Sequence, residues 1–510
     1  MSIARALGIA GIAVGLAGCS TAPTARQLGQ DAIAAMGGAE RVQSVKILTM
    51  KGGVGTRYRH GQSVRVGDAE PVATLKNVTE TLDRTNQRAA LDYEVQIGPF
   101  GQHRREILTT FDGKPVGLED VGGRPLAVMS PSGLFSWGTQ NHPDFLLRRN
   151  AIAVALAAAE SASDDPPLAR TVGDRTLQAG VATLPSGELV TIFFEPESKL
   201  IAGFEVLDTE SMLGDAPAQY VFADYRDVGG VKLPHKITIQ KLGQPYSEVQ
   251  YSSASINDTA GAEAVFAIPA AARGEVAKAI AAGEYSPLTL TKVADGVFFA
   301  RAYSHNSMVV EFPSYLAVVE APYTDGQSAT LVRALHEQFA AKPIRYAVVT
   351  HHHYDHTGGV RGLAAVGATI LAERGHEPAM RMIVETPHTN PPDPLETARK
   401  AGKAGGLEIF EGKKVLSEGK QTLELYSITG NPHVDPKVLA YVPGVRALFQ
   451  SDLWFPGLGA PAGPEAVHLL QAIQSLKLPV ATHVGGHGGV GPHAELVKAV
   501  AAAASPASSR

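Results

Sequence analysis

The sequence runs to 510 residues, with 45 Lys and Arg against 50 Asp and Glu, a formal net charge of -5, 44% hydrophobic residues and a single cysteine. Mild acidity without a basic block argues against a nucleic-acid partner and against polybasic adhesion to lipid. One thiol excludes an intramolecular disulfide, no stretch after residue 19 is long and apolar enough to cross a membrane as a helix, and the length accommodates two to four domains at roughly 150 residues each.

In chain order, the first signal is Arg5 followed by the apolar run Ala6 to Ala17. The run is too short for a lasting membrane helix and predicts a secretory signal over residues 1–18. Leu16-Ala17-Gly18-Cys19 resembles the bacterial lipobox. That resemblance implies cleavage before Cys19 and lipidation of Cys19 with three acyl chains, more than the two that stable membrane attachment needs. With Ser20 rather than aspartate in the next position, it further implies sorting to the outer membrane of a Gram-negative cell, facing the periplasm. The alternative is a buried cysteine in an uncleaved signal. Residues 19–27, rich in Ser, Thr, Ala and Pro, read as a tether.

Residues 28–269 carry the pattern of a β-rich domain. A short helix is predicted over Gln27 to Met36 and another over Phe145 to Ala159. Alternating strands are predicted at Val45 to Lys51, Ala89 to Ile97, Gly180 to Leu184, Leu189 to Glu195, Ile201 to Leu207, Tyr220 to Tyr225, Lys236 to Lys241 and Glu248 to Ala254. Turn residues between them predict a mostly antiparallel sheet. The run Tyr220 to Pro234, with Gly230-Val231-Lys232-Leu233-Pro234, resembles the lipoprotein-carrier type of half-barrel. The resemblance implies a concave face able to hold an acyl chain or hydrophobic substrate; the alternative is a structural or docking domain without a ligand. Residues 270–284, Ala-rich, read as a helical linker.

A second domain is expected over residues 285–500. Its most informative stretch is Thr350-His351-His352-His353-Tyr354-Asp355-His356-Thr357-Gly358-Gly359. Ile344, Tyr346, Val348 and Val349 read as a buried strand before it and the Ala-rich run after it as a helix, so the stretch sits on a strand-to-helix loop. In an extended segment His351 and His353 point to one side, while Asp355 and His356 turn towards a neighbouring point, so each pair can serve one metal ion. Imidazole with carboxylate suits zinc and other borderline cations. His352 points away and is left out of the metal set. His305 and Asn306 read as a turn, with pocket lining as the alternative, and Tyr354 as a packed ring or a donor to substrate. The Pro-rich stretch Met380 to Ala401 reads as a lid or a mobile surface connection.

Thr350 to Gly359 matches the T-H-x-H-x-D-H-x-G-G signature, and the chain here resembles the metallo-β-lactamase fold superfamily. The resemblance implies an αββα sandwich and carries three further positions. His433 follows a strand and the turn Gly430-Asn431-Pro432. Asp452 ends a later strand, in Ala447-Leu448-Phe449-Gln450-Ser451-Asp452. His487 lies in Val484-Gly485-Gly486-His487-Gly488, where flanking glycines let the backbone turn close to a metal, although His483 competes for the role. It implies that His351, His353 and His433 hold a first metal, that Asp355, His356 and His487 hold a second, and that Asp452 bridges them. Two departures concern subfamily and substrate: Val319-Glu320-Ala321-Pro322 replaces the usual I-D-T-G turn, and Gly430 to Pro436 replaces the common G-H-T-x-G run.

Two Zn2+ ions, with iron or manganese as alternatives, would bring a shared water's pKa from 15.7 towards about 7 and polarise a substrate oxygen. The expected reaction is therefore hydrolysis of a small-molecule ester, lactone, β-lactam or similar compound by a metal-bridging hydroxide, with catalytic Asp355 orienting the water and passing a proton to the leaving group, as the resemblance implies. The alternatives are an iron-dependent sulfur or persulfide oxygenase of the same fold, and a non-catalytic lipid-binding envelope lipoprotein. Residues 501–510 read as a frayed tail.

Overall fold

The computed structural model describes residues 23–504 apart from 62–68, 98–99, 132–144 and positions 123, 149, 211, 284, 304, 322, 341 and 460. Cys19 and the signal and tether up to residue 22 lie outside the described residues.

A 14-stranded antiparallel sheet dominates the first domain. From the edge strand Ala127–Met129 it steps back through Lys114–Val121, Phe100–Phe111, Arg88–Ile97 and Ala69–Asp83 to Ile47–His60. There it crosses to Gln244–Gln250 and continues through Val231–Lys241, Gly214–Val228, Ile201–Glu210, Leu189–Phe194 and Arg175–Thr183 to Leu168–Val172. Ile47–His60 also pairs with the fourteenth strand, Ser253–Ile256; apart from these pairings of Ile47–His60 with the end of the domain, neighbours in the sheet are neighbours in sequence, and register follows the alternation of buried and exposed side chains.

Two helices, Ala25–Met36 and Ala151–Ser161, cover the sheet. Thr24 caps the first by accepting from Gln27 N at 3.2 Å, and Asn150 caps the second by accepting from Ile152 N and Ala153 N at 3.1 and 3.0 Å. Gly29 permits their close crossing, because a Cβ there would meet the Ala158 carbonyl carbon at 2.3 Å. Leu28, Ile33, Met36, Ile152 and Val154 bury themselves against Phe204, Tyr220 and Phe222 in one apolar core. The face expected to be open to a hydrophobic ligand is thus lined here by the protein's own helices.

The second domain has the metallo-β-lactamase fold, two sheets packed face to face with helices outside. The first sheet has seven strands, Leu288–Ala294, Val297–Ala302, Ser307–Glu311, Leu316–Val319, Ile344–Val348, Thr369–Glu373 and Leu407–Phe410, antiparallel at first and parallel from Leu316–Val319 onward. The second has six: Lys413–Glu418, Gln421–Ile428, Lys437–Val442, Ala447–Gln450, Thr482–Gly485 and Val490–Pro492. Phe299, Val310, Val319, Leu425, Ala440 and Phe449 fill the seam between the sheets. Leu331, Leu335, Leu363 and Ile383 seal the first sheet's outer face, and Leu469, Ile473 and Leu496 seal the second's.

The Pro-rich stretch forms two helices, Glu377–Glu385 and Pro394–Lys400, held from both sides. Buried Arg361 donates from Nε to Asp393 at 2.5 Å and from NH1 to the Ile383 and Thr386 carbonyls at 2.8 and 3.1 Å. The first domain grips the loop between the helices: Asp215 N donates to Pro387 O at 2.9 Å, Thr209 Oγ1 to Asn390 O at 2.9 Å, and Asn390 Nδ2 to Leu207 O at 2.9 Å. The stretch is a brace between domains.

Candidate metal centre

Several strand ends meet at one rim of the sandwich. Ile344–Val348 runs into Thr350, His351 and His353, after which a single helical turn, Tyr354–Thr357, carries Asp355 and His356. Leu316–Val319 ends at Glu320 and Ala447–Gln450 at Ser451 and Asp452; Glu320 and Asp452 both adopt the left-handed backbone conformation, with φ of 68° and 61°. His433 precedes Lys437–Val442 in a turn where Asn431 Oδ1 accepts from His433 N at 2.9 Å. Thr482–Gly485 leads to His487.

All seven residues expected to surround two metals come together at this rim, from fully buried His351 and His356 to partly exposed His433 and His487. Asp452 is central: its Oδ2 lies 3.1 Å from His351 Nε2, 2.8 Å from His356 Nε2 and 3.1 Å from His433 Nε2, and its Oδ1 lies 2.8 Å from His487 Nε2. His351, His353, His433 and Asp452 offer donor atoms within 4.8 Å of one another, as do His305, Asp355, His356 and His487. His483 stays outside, buried and bonded through Nε2 to His493 Nδ1 at 2.9 Å, so His487 is the C-terminal histidine of the cluster. His352 also points away and meets His376 Nδ1 at 3.2 Å. Tyr354 is a packed ring, its hydroxyl donating to Tyr323 O at 3.0 Å.

The donor set fits cations. Among the described residues, His351 Nε2, His356 Nε2 and His433 Nε2 are buried and make no hydrogen bond, although each stands close to a carboxylate oxygen. Buried polar atoms are seldom left so. Their lone pairs converge with Asp452 as ligands around a divalent ion do, in a set of imidazoles and carboxylates that suits zinc. Behind His356, Glu320 Oε2 accepts from Nδ1 at 3.0 Å and from Ser451 Oγ at 3.1 Å, which leaves Nε2 free for a ligand role. Behind His351, Thr350 Oγ1 at 3.0 Å and Lys437 Nζ at 2.9 Å both reach Nδ1, and Thr350 in turn donates to Glu320.

Electrostatics point the same way. Burial disfavours the carboxylate of Asp355, yet His356 and the hydrogen bond from His305 outweigh it and hold its pKa well below the usual range. Burial is likewise overridden at Asp452, by His356, His487 and Lys437. Desolvation keeps His351 and His353 neutral, whereas Asp452, Glu320 and Asp355 overcome it at His356 and raise its pKa well above normal. Lys437 is driven down to about 8 by burial, against the pull of Asp452 and Glu320. A nest of carboxylates that favours a proton on a buried imidazole favours any cation in that place, and a metal ion competes with the proton for the same nitrogen.

Glu320, Lys437 and Ser451 were not among the expected site residues. Glu320 had a signal: it stands where the related signature carries an aspartate at the same strand end. Lys437 and Ser451 had none, since a lone lysine beside a strand reads as solvated.

Residues 301–487 match the sequence model of the family described as Metallo-beta-lactamase superfamily, so the C-terminal part of the chain carries a domain of that superfamily. Among solved structures, the chain is similar to the metallo-β-lactamase FIM-1 from Pseudomonas aeruginosa in its mono-zinc form, with 20% identity over 44% of this chain and 96% of that one and a TM-score of 0.32. It is similar also to a metallo-β-lactamase from Hirschia baltica, with 20% identity over 42% and 97% and a TM-score of 0.32. A metallo-β-lactamase from Pontibacter korlensis gives 18% over 42% and 98%, with a TM-score of 0.33. No curated protein matches the chain.

Proposed function

We propose that the protein is a dinuclear zinc hydrolase that cleaves an ester, lactone, β-lactam or related small molecule at the periplasmic face of the outer membrane, tethered through lipidated Cys19. The observation that carries the catalytic part is the convergence of orphaned imidazole nitrogens on the Asp452 carboxylate. His351, His353 and His433 would hold one ion, Asp355, His356 and His487 the other, with Asp452 shared. When bound, such a pair acidifies a water to about pKa 7 and polarises a carbonyl oxygen.

The chain's own groups do the rest. His356 and His305 hold the Asp355 carboxyl well below its usual range, so it would orient a water as a carboxylate, and passing a proton to the leaving group is the role the superfamily resemblance implies. Glu320 fixes the tautomer of His356. His351 and His356 are fully buried, while the side chains of His433 and His487 remain 28% and 23% exposed, so substrate approaches over those two. A cleft of about 540 Å³ lined by both domains borders that edge, with Arg124, Arg301, Tyr303, Asn306 and Gly488 among its walls. Two guanidinium groups there favour substrates that carry a carboxylate.

The test is turnover of a panel of lactones, β-lactams and esters by the zinc-reconstituted full chain. Hydrolysis that Asp355→Ala abolishes, with unchanged folding, is expected. A protein that binds two zinc ions and turns over none of the panel would sink the hydrolase reading.

A further inference from the structure

The second cluster contains one more donor than the superfamily resemblance supplies. Beside Asp355, His356 and His487 stands His305, 3% exposed, with its donor atom within 4.8 Å of theirs. Its Nε2 lies 3.1 Å from Asp355 Oδ2. Its ring meets His487 edge to face at a centroid distance of 4.2 Å and His356 likewise at 5.2 Å, both at 65°.

The backbone around His305 is fastened on both sides. Gln327 Nε2 donates to His305 O at 2.8 Å from the helix Asp325–Gln338. Asn306 N donates to Gly486 O at 2.8 Å, and its side-chain amide donates to Gly485 O and Gly488 O at 3.1 and 3.3 Å. Three hydrogen bonds thus staple the turn of His305 to the loop of His487, and Tyr323 stacks on the outer face of the His305 ring at 4.5 Å. A histidine kept only for packing does not need its ring edge held against a carboxylate inside a ligand cluster.

On the footing of the metal-centre reading above, we infer that His305 is a fourth side-chain ligand of the second metal position, alongside Asp355, His356 and His487. The two positions are then unequal. The second has four donors of its own, one of them anionic, plus a share of Asp452. The first has three neutral imidazoles and the same share, and Lys437 stands against it, 2.9 Å from His351 Nδ1 and 3.8 Å from Asp452 Oδ2. Loading is therefore stepwise, with the second position filled first. His305 is also the weaker donor beside His356, because among the described residues its Nδ1 has no acceptor behind it, whereas His356 has Glu320.

The experiment titrates Zn2+ and Co2+ into the metal-free full chain against a competing chelator, for the parent and for His305→Gln, whose amide keeps a hydrogen bond to Asp355 but is a poor ligand. Two binding steps in the parent are expected, with the tighter one weakened about tenfold or more in His305→Gln and its Co2+ visible absorption altered. The Co2+-loaded parent should show six paramagnetically shifted imidazole N–H signals, a count that needs no variant. Five signals, or a His305→Gln variant with parental affinities and spectrum, would overturn the inference while leaving the metal centre intact. A parent that binds neither ion would overturn both.

Discussion

Replacing Glu320 by glutamine probes the support beneath the metal centre without touching a proposed ligand. The carboxylate is fully buried and serves two imidazoles, accepting directly from His356 Nδ1 at 3.0 Å and, through the Thr350 hydroxyl, from His351. An amide of the same shape has one acceptor oxygen for these two tasks. Turned towards His356, it presents its NH2 to Thr350, whose hydroxyl hydrogen must then find another acceptor, with His351 Nδ1 in reach. Turned the other way, it presents N–H to His356 Nδ1 and drives that ring to the tautomer with hydrogen on Nε2. Either orientation spoils the ligating nitrogen of one histidine. A lost hydrogen bond to a charged group is worth about 1.5–3 kcal/mol, which converts to roughly a 10- to 100-fold loss of cation affinity. Chelator competition with Zn2+, alongside metal content after dialysis, measures it, and near-UV circular dichroism of the metal-free protein checks the fold. A variant that binds zinc as tightly as the parent would refute the tautomer argument.

Two further expectations concern stability. Glu80 is buried, and desolvation outweighs the hydrogen bond from Tyr251 to push its pKa from 4.5 up to about 7. The native state therefore holds this proton more tightly than the unfolded chain, so stability falls as pH rises from about 4.5 to about 7 and stays low above that. Glu80→Gln should match the parent near pH 4.5 and exceed it at pH 8 by up to roughly 3 kcal/mol, read from melting temperatures across pH; parallel profiles would refute it. Arg361→Ala removes the guanidinium that ties Asp393 and Glu396 to the Ile383 and Thr386 carbonyls and leaves buried groups unpaired. It should cost about 3–5 kcal/mol and speed proteolysis between residues 386 and 393, whereas an unchanged melting temperature would show that the brace is held by the first domain alone.

Much of this was legible in the residues. The metal-centre motif and its two flanking elements were readable because a strand ending in apolar residues and a glycine pair leave little choice of local structure. His433, Asp452 and His487 came from the superfamily resemblance, with the strand ends and turn residues around them as the places it pointed to. The first domain was harder. Ala89 to Ile97 was read almost residue for residue, yet its partners Ala69–Asp83 and Phe100–Phe111 escaped, because their inward positions carry charge. Arg104 and Glu119 pair across neighbouring strands, Glu106 accepts from Tyr93, and Arg88 bonds Asp83 at 2.9 Å, all buried. Alternation of apolar and polar residues disappears when the polar ones are neutralised inside the domain. His305 was read as a turn residue for a related reason. Its role depends on Asn306 binding a loop some 180 residues away, and nothing local encodes that contact.

The backbone strain at the centre has a place in the same logic. Glu320 and Asp452 end strands of different sheets, and each takes a left-handed conformation that costs of order 1–3 kcal/mol in a non-glycine residue. Their turns bring two carboxylates from opposite sheets to the same pair of imidazoles. Gly486 completes the arrangement, since a Cβ there would meet Ser451 Oγ at 2.1 Å and Glu320 Oε2 at 3.0 Å. The first domain supports the centre as well: Gly61 O accepts from Tyr354 N at 3.1 Å, in the middle of the histidine motif, and the Arg59 guanidinium lies 4.8 Å over the Tyr354 ring. The loop that carries His353, Asp355 and His356 is therefore shaped from both domains, so the large β-sheet is part of what holds the proposed ligands in position.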